Sequence, residues 1–275
     1  MSDGSSDRLM RRIQRYGWDL AVADYDRAWV PLLSEYSTGC VERAAIRPGE
    51  HVIDVATGTG TAAFLAAERT GPAGRVLGVD ISEKMAAFAS ERARAAGVAQ
   101  LGFVRQDMET TGQKDGAYDV ALCAFGLMYA ANRRAALVEL HRILRPGGRL
   151  VVCVWGRRGE CGFREVFPIV DRRVESEVCP LFFSLGVPGA LEAMLGEVGF
   201  SSARTEHRSL ILSWESPEEA CAAIFAGGPV ALAYSKFPPE VRAEVHAEYL
   251  ESLAPYRVGA GYRVAAEFVY GVASR

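Results

Sequence analysis

This 275-residue chain lacks any strong excess of charge and any long apolar run. Its 31 basic and 34 acidic residues leave a net charge of −3, which gives no electrostatic footprint for nucleic acid or for an anionic membrane. No window approaches the ~18 consecutive apolar residues that a membrane-spanning helix needs. Residues 1–7 are small and polar, unlike a secretory signal. We therefore expect a cytoplasmic protein with neither a nucleic-acid partner nor a membrane span.

Cysteine and histidine are too few and too scattered to indicate disulfides or a metal site. The six cysteines form no CxxC pair, so we expect buried, reduced thiols. The four histidines have no metal-ligand spacing with each other or with cysteine, and none stands where a general base is obvious. They are His51, His141, His207 and His246. The sequence therefore predicts no metal and leaves the catalytic residues unknown.

Strand and helix signals alternate between His51 and Trp155. Five short β-rich runs are separated by alanine-rich or amphipathic stretches, which is the pattern of βαβ units and a parallel sheet. The runs are 51–55, 75–79, 101–104, 118–123 and 150–155. Right-handed crossovers then place helices on both faces of the sheet. The prediction is an α/β, doubly wound sheet.

The chain after Trp155 has a different character. We predict helix-like segments at 163–185 and 217–253, the latter interrupted by Gly227-Gly228-Pro229 and Pro238-Pro239, and strands at 204–214 and 262–272. We expect one domain over 1–275. Residues 1–40 would form an N-terminal helical cover, and 163–187 and 216–258 would be helical lid insertions over the carboxyl edge of the sheet.

The strongest local signal is a glycine-rich turn after the first strand. Gly58-x-Gly60-x-x-Ala63 satisfies a relaxed dinucleotide fingerprint, since glycines at such a turn let the backbone approach a ligand closely. A tight connection without any ligand remains an alternative. Asp80, at the end of the next strand, follows Gly60 by the interval typical of an acid that accepts ribose hydroxyl groups.

Asp54, inside the first strand, argues against a nicotinamide cofactor. Its carboxylate would repel the pyrophosphate that such a cofactor presents here, whereas it would attract a ligand carrying an ammonium group and a sulfonium. A nicotinamide oxidoreductase is therefore the weaker alternative.

With these acids and glycines, the chain resembles a class I S-adenosylmethionine (SAM)-dependent methyltransferase. It is most similar to the small-molecule branch that includes ubiquinone and menaquinone methyltransferases, from about Tyr25 to Trp155. The matching motifs are 54–60, with Ala56 where glycine is usual, then 78–82, 106–108, 124–127 and the turn 144–148. The resemblance implies a Rossmann-like sheet, mostly parallel, whose last strand (262–272) runs antiparallel beside the fifth.

The resemblance also implies which residues would hold the cofactor. Ile81 and Met85 would sandwich the adenine ring, Asp107 would receive its amino group, and Tyr25 would reach the carboxylate or the methyl group of SAM. The full predicted cofactor set is Tyr25, Asp54, Ala56, Thr57, Gly58, Gly60, Asp80, Ile81, Ser82, Met85, Gln106, Asp107, Met108, Ala124 and Phe125.

The acceptor pocket should form where the fourth and fifth strands end, beneath the lid. Its predicted residues are largely aromatic, although each could equally be part of the core. They are Tyr25, Trp29, Phe125, Met128, Tyr129, Trp155, Arg164, Phe167, Phe225 and Tyr234. This set suits an aromatic or heterocyclic small molecule, and we expect its N- or O-methylation, as in specialised metabolism. The only asparagine is Asn132, so no base-flipping Asn-Pro-Pro motif is present.

Methyl transfer from a sulfonium is an in-line displacement, which positioning alone accelerates strongly, by as much as ~7–11 kcal/mol in well-oriented systems. We therefore expect catalysis by proximity and desolvation. C-methylation of a quinone precursor and a SAM-binding protein without methyl transfer are the alternatives. A homodimer is compatible with the sequence, and the acceptor is not readable from it.

Overall fold

The structure, a computed structural model, describes residues 4–175 and 178–275. Residues 1–3 of the predicted N-terminal cover and residues 176–177 of the first predicted lid lie outside the described residues. Within the described ranges, no helix is both long and apolar enough to cross a membrane.

A single mixed sheet runs through the described chain. Its strands are β1 (His51–Val55), β2 (Arg75–Asp80), β3 (Leu101–Arg105), β4 (Tyr118–Ala124), β5 (Leu144–Trp155), β6 (Ser201–Trp214), β7 (Arg257–Val258) and β8 (Gly261–Ser274). Their order is β3-β2-β1-β4-β5-β8-β6, and β7 pairs with β8. The first five strands are parallel, and β8 runs antiparallel to both β5 and β6. The predicted α/β sheet with an antiparallel last strand is confirmed.

Helices precede, connect and follow these strands. They are α1 (Gly4–Ala28), α2 (Val30–Ala44), α3 (Thr61–Thr70), α4 (Glu83–Ala96), α5 (Arg133–Ile143), α6 (Val166–Asp171), α7 (Ala190–Val198), α8 (Pro217–Cys221), α9 (Ala231–Ser235) and α10 (Pro239–Ser252). Capping follows the expected chemistry: the side chain of Ser82 accepts a hydrogen bond from Met85 N at the start of α4, and Asn132 does the same for Ala135 N at α5.

The apolar core lies on both faces of the central strands. β4 is buried along nearly its whole length, as a parallel strand covered by helices requires. In contrast, β3 is largely accessible because it lies at the edge of the sheet. The carboxyl ends of β1, β2 and β4 lie side by side, so the loops that follow them meet at one edge of the sheet.

Three segments depart from the predicted elements. The fifth strand begins at Leu144 rather than Leu150, because the Pro-Gly-Gly turn forms an irregularity within it. Among the described residues of the helix-like stretch 163–185, helix is confined to α6 and to the start of a 3-10 turn at Ser184–Gly186. Pro180 has no N–H to donate, and Cys179 adopts a left-handed φ of 58°. The stretch 217–253 contains α8, a π-helical turn at Ala222–Ala226, α9 and α10, with breaks at the predicted glycine and proline clusters.

Candidate active site

The loop between β1 and α3 forms the floor of a cavity. Gly58 and Gly60 have φ values of 56° and 92°, a left-handed conformation that glycine adopts without strain. A side chain at Gly60 would also collide with Phe103, whose ring would lie 2.8 Å from the added Cβ. Asp80, at the end of β2, holds this loop: one carboxylate oxygen accepts from Gly58 N at 2.9 Å and the other from Ser82 N at 2.8 Å.

A second buried acid lies beneath the same loop. Asp54 is 1% exposed and accepts a hydrogen bond of 2.6 Å from Thr57 Oγ1, while its Oδ1 has no partner among the described residues. Burial raises the pKa of Asp54 to about 7 and that of Asp80 to about 6. Both groups would regain their charged form beside a positively charged ligand.

The one departure from the usual glycine motif is compensated across the cavity. Ala56 adopts φ 52°, and a Cβ placed on Gly126 would lie only 2.4 Å from the Cβ of Ala56. The methyl group of Ala56 is therefore tolerated because Gly126, after β4, has no side chain. The neighbouring Phe125 also has a left-handed φ of 56°, a strained conformation of the kind that clusters at ligand sites.

The loop after β3 supplies a third acidic edge. Gln106 N donates to Asp80 O at 2.8 Å, which joins this loop to the end of β2. The Asp107 carboxylate lies 3.0 Å from Arg11 Nε, and Arg11 also pairs with the buried Glu109. Helix α1 is thereby anchored over the cavity from the opposite side.

Further along α1, two contacts bring its aromatic residues over the glycine loop. Asp19 accepts a hydrogen bond of 2.6 Å from Ser82 Oγ. Tyr25 lies over Gly58, with its Cε1 3.5 Å from where a Cβ on that glycine would be. Trp18 packs edge-on against both Tyr25 and Tyr129, with ring centroids 5.7 and 5.2 Å apart.

The other half of the cavity is apolar and aromatic. The rings of Phe125 and Trp155 are 4.6 Å apart, and Trp155 packs against Phe163 at 4.9 Å and against Trp29 at 6.1 Å. Trp29 is fixed by its Nε1, which donates to Ala223 O at 2.8 Å. The acceptor half therefore has rigid walls built from the N-terminal helices, β5 and the segments that follow it.

The two halves form one continuous cavity that is open to solvent. Most of the predicted residues lie on its wall: Tyr25, Trp29, Ala56, Gly58, Asp80, Ile81, Met85, Gln106, Asp107, Met108, Ala124, Phe125, Tyr129, Trp155 and Phe167. Asp54, Thr57, Gly60, Ser82 and Met128 are not on the wall. Thr57 and Gly60 belong to the glycine loop itself, Asp54 and Ser82 are joined to the loops by hydrogen bonds, and Met128 is a core side chain with 4% exposure.

Besides Met128, three other residues predicted for the acceptor pocket are not brought to it, and the pocket is corrected accordingly. Arg164 turns away to pair with Glu165 at 3.1 Å and to donate to Gly159 O at 3.2 Å. Phe225 is fully buried and packs against Tyr249. Tyr234 hydrogen-bonds His246 at 2.9 Å. The π-helical turn sends Ile224, instead of Phe225, to the cavity.

The histidines lie elsewhere. His51 is exposed at the start of β1, at the opposite end of that strand. His141 packs against Phe200, and His207 lies 3.4 Å from Glu267. His246 packs among aromatic rings behind the cavity wall. That catalysis needs no histidine as a general base stays a prediction.

Several cavity residues were not predicted from the sequence. Helix α1 contributes three of them, of which Arg11 pairs with Asp107 and Glu109, and the irregular segment around Pro180 adds an aromatic residue. The missed residues include Arg11, Gln14, Trp18, Leu33, Glu109, Phe163, Val166, Phe182 and Ile224. The one available signal was the spacing 11, 14, 18, 25 and 29, which lies along one side of a helix.

The polar half has hydrogen-bond acceptors and apolar surfaces that suit an adenosyl sulfonium compound. Two buried carboxyl groups and a glycine cradle surround it, one carboxylate oxygen of Asp54 lacks a partner, and Ile81 and Met85 provide apolar surfaces. Among the described residues, no group of three or more His, Cys, Asp or Glu side chains could hold a metal ion.

Comparison with known proteins agrees with this arrangement. A family model described as a methyltransferase domain matches residues 46–161. A demethylmenaquinone methyltransferase from Thermus thermophilus is 33% identical over 175 residues, which are 58% of this chain and 79% of that protein. The chain is a class I SAM-dependent methyltransferase.

A second sequence relative and a solved structure are also named as methyltransferases. A ubiquinone/menaquinone biosynthesis C-methyltransferase from Ectopseudomonas mendocina is 37% identical over 120 residues. That match covers 43% of this methyltransferase and about half (47%) of the relative. A phosphoethanolamine N-methyltransferase from Haemonchus contortus, solved with S-adenosylhomocysteine (SAH), has the same fold. Its TM-score is 0.65 at 16% identity, over 97% of this chain and 60% of that one.

Proposed function

We propose that this methyltransferase binds SAM in the polar half of the cavity and methylates a planar, apolar small molecule in the aromatic half. The observation that carries the proposal is the continuity of the two halves, with Tyr25, Ala124 and Phe125 at their junction. An electrophilic methyl group on a sulfonium is what bound SAM supplies. The protein's part is to align the acceptor with it and to exclude water.

Different acids and glycines would bind different parts of the cofactor. Asp80 would accept the ribose hydroxyl groups, and Asp107 the adenine amino group, between Ile81 and Met85. The amides of the 56–60 loop and the charge of Asp54 would orient the methionine end. Asp80 and Asp54 are buried, so their interaction with a cation is screened less than it would be at the surface.

The aromatic half supports an acceptor that needs little help from a base. Among the described residues, its wall is built from Trp29, Phe125, Trp155, Phe163 and Phe167, with no histidine or carboxylate. Tyr25 and Tyr129 present hydroxyl groups for which no partner is found among the described residues. Burial raises the pKa of both tyrosines, so they remain protonated hydrogen-bond donors at neutral pH rather than bases.

Two kinds of methylation are candidates, and they differ in the atom that receives the methyl group. N- or O-methylation of an aromatic or heterocyclic metabolite agrees with the shape and the tyrosine hydroxyl groups of the pocket. C-methylation of a quinone precursor is favoured by the similarity to demethylmenaquinone and ubiquinone/menaquinone methyltransferases, and by the lack of a base, since an electron-rich ring carbon of a quinol is itself nucleophilic. The proposed partner is in both cases a small molecule.

The test uses the purified protein, methyl-labelled SAM and two probes, 1-naphthol and 1,4-dihydroxynaphthalene kept reduced with dithionite. We expect label to enter the organic phase and SAH to form, and mass spectrometry distinguishes an ether from a ring-methylated product. Phe163→Ala should weaken naphthol binding by roughly tenfold, because an aromatic wall is lost.

The matched control is Arg164→Ala, the next residue, whose guanidinium faces away from the cavity. It should bind naphthol as the unchanged protein does. Binding of SAH without binding of any planar aromatic probe would contradict the proposed acceptor class, and failure to bind SAH would contradict the proposal as a whole.

A further inference from the structure

Arg133 occupies a position that is unfavourable for an arginine. It is the first residue of α5, where the helix dipole repels a positive charge. It is also buried, with 8% exposure, and burial lowers the pKa of its guanidinium to about 10. The group stays charged at neutral pH, so the protein keeps a cation in the interior at the wrong end of a helix.

The guanidinium links two chain segments that are distant in sequence. Its Nη2 donates to Met128 O at 3.0 Å and to Leu181 O at 2.6 Å, and its Nη1 donates to Ser184 Oγ. One partner belongs to the loop after β4, and the other two belong to the irregular segment after α6. The guanidinium therefore holds two carbonyl oxygens and one hydroxyl oxygen in place.

Each bonded carbonyl directly precedes an aromatic residue of the cavity wall. Tyr129 follows Met128, and Phe182 follows Leu181; both rings line the cavity, and their centroids are 5.6 Å apart. We propose that Arg133 is a positioning residue for the acceptor, because its hydrogen bonds fix Tyr129 and Phe182 as one wall of the acceptor pocket. This inference rests on the proposed function of that half of the cavity.

Stability alone does not explain the arginine. Among the described residues, the guanidinium of Arg133 donates to two carbonyl groups and a hydroxyl group rather than to a carboxylate, so no ion pair offsets the cost of burying its charge. Local choices that conflict with helix electrostatics and burial are expected at functional positions. Measuring the two ligands separately should therefore distinguish the positioning role from a general effect on folding.

The test compares Arg133→Met with Arg134→Met. Arg134 is the next residue in α5, and its side chain is exposed. Quenching of tryptophan fluorescence by 1-naphthol measures the acceptor half, since Trp18, Trp29 and Trp155 line the cavity, and calorimetry with SAH measures the cofactor half. We expect Arg133→Met to weaken naphthol binding by roughly fivefold or more, on the scale of one or two lost hydrogen bonds. SAH affinity should be unchanged, Tm should fall modestly because two carbonyl groups lose their donor, and Arg134→Met should behave as the unchanged protein.

Two more variants and a hydrogen-exchange measurement test the same hydrogen bonds. Arg133→Lys, which restores a donor, should recover part of the naphthol affinity, and Ser184→Ala should give a smaller loss in the same direction. Amide hydrogen exchange in 181–184 should be faster in Arg133→Met, while exchange in 54–60 should not change. Unchanged naphthol binding and unchanged exchange in folded Arg133→Met would overturn the inference. If the unchanged protein bound SAH but no naphthol, the proposed acceptor class would fail instead, and the exchange data would decide the role of Arg133.

Discussion

The polar and aromatic halves of the cavity are built by different means. The polar half is made of short loops at the carboxyl ends of adjacent parallel strands, and its acids are held by backbone amides such as Gly58 N and Ser82 N. The aromatic half is made of side chains from α1, α2, β5 and the segments after it, which meet only in the folded chain. Backbone geometry therefore defines the cofactor side, whereas side-chain packing defines the acceptor side.

Removing one acid from the polar half should have the largest effect. Asp80→Asn should weaken SAH binding by roughly tenfold to a hundredfold, because hydrogen bonds to a charged group are worth ~1.5–3 kcal/mol. Calorimetry measures the loss, and naphthol binding should hardly change. Asp115→Asn, an exposed site that pairs with Arg142, is the control. Equal loss of both ligands would mean that the two halves do not act separately.

The compensation between Ala56 and Gly126 predicts a rescue. Gly126→Ala should cost ~1–3 kcal/mol of unfolding free energy through overpacking against the methyl group of Ala56. Adding Ala56→Gly should restore part of this stability, because it removes that methyl group and also favours the left-handed conformation. Cys123 Sγ, 3.0 Å from the added Cβ, keeps the rescue incomplete. Chemical denaturation of the single and double variants gives the coupling, and strictly additive losses would exclude the contact.

The smallest effect expected is a pair of opposite pH trends. The pKa values of Asp54 and Asp80 are raised to about 7 and about 6, above those of the unfolded chain. As pH falls from 8 to 5.5 the folded protein takes up protons first, so these two groups add stability to the ligand-free form, and their contribution is lost as pH rises through 6–7.

Cofactor binding should follow the reverse direction, because SAM needs the ionised carboxylates. At pH 5.5 the ionised fraction of Asp80 alone falls roughly fourfold, so SAM affinity should drop by at least that factor. Calorimetry and thermal unfolding at several pH values measure both trends. In Asp54→Asn each trend should be shallower, and an affinity that does not vary with pH would show that SAM binding needs neither ionised carboxylate.

The same contrast explains which parts of the site were predictable. Asp54 lies within the first strand, the glycines follow that strand, and Asp80 ends the second strand. The strand ends of a parallel sheet lie together, so the proximity of these residues follows from the periodicity of the sequence. Phe225 and Ile224 are adjacent in the chain, and a single π-helical turn decides which one faces the cavity. The hydrophobic periodicity of the sequence does not predict a π-helical turn.

The sequence by itself determined the alternation of strands and helices, the cofactor loops and the antiparallel last strand suggested by family resemblance. Only the tertiary structure decided that Arg11 reaches Asp107 and Glu109, that Arg164 turns outward, and that Arg133 joins the loop after β4 to residues 181–184. The physical reason is range: backbone hydrogen bonding and hydrophobic periodicity act between near neighbours along the chain. The walls of the acceptor pocket depend instead on contacts between segments that only folding brings together.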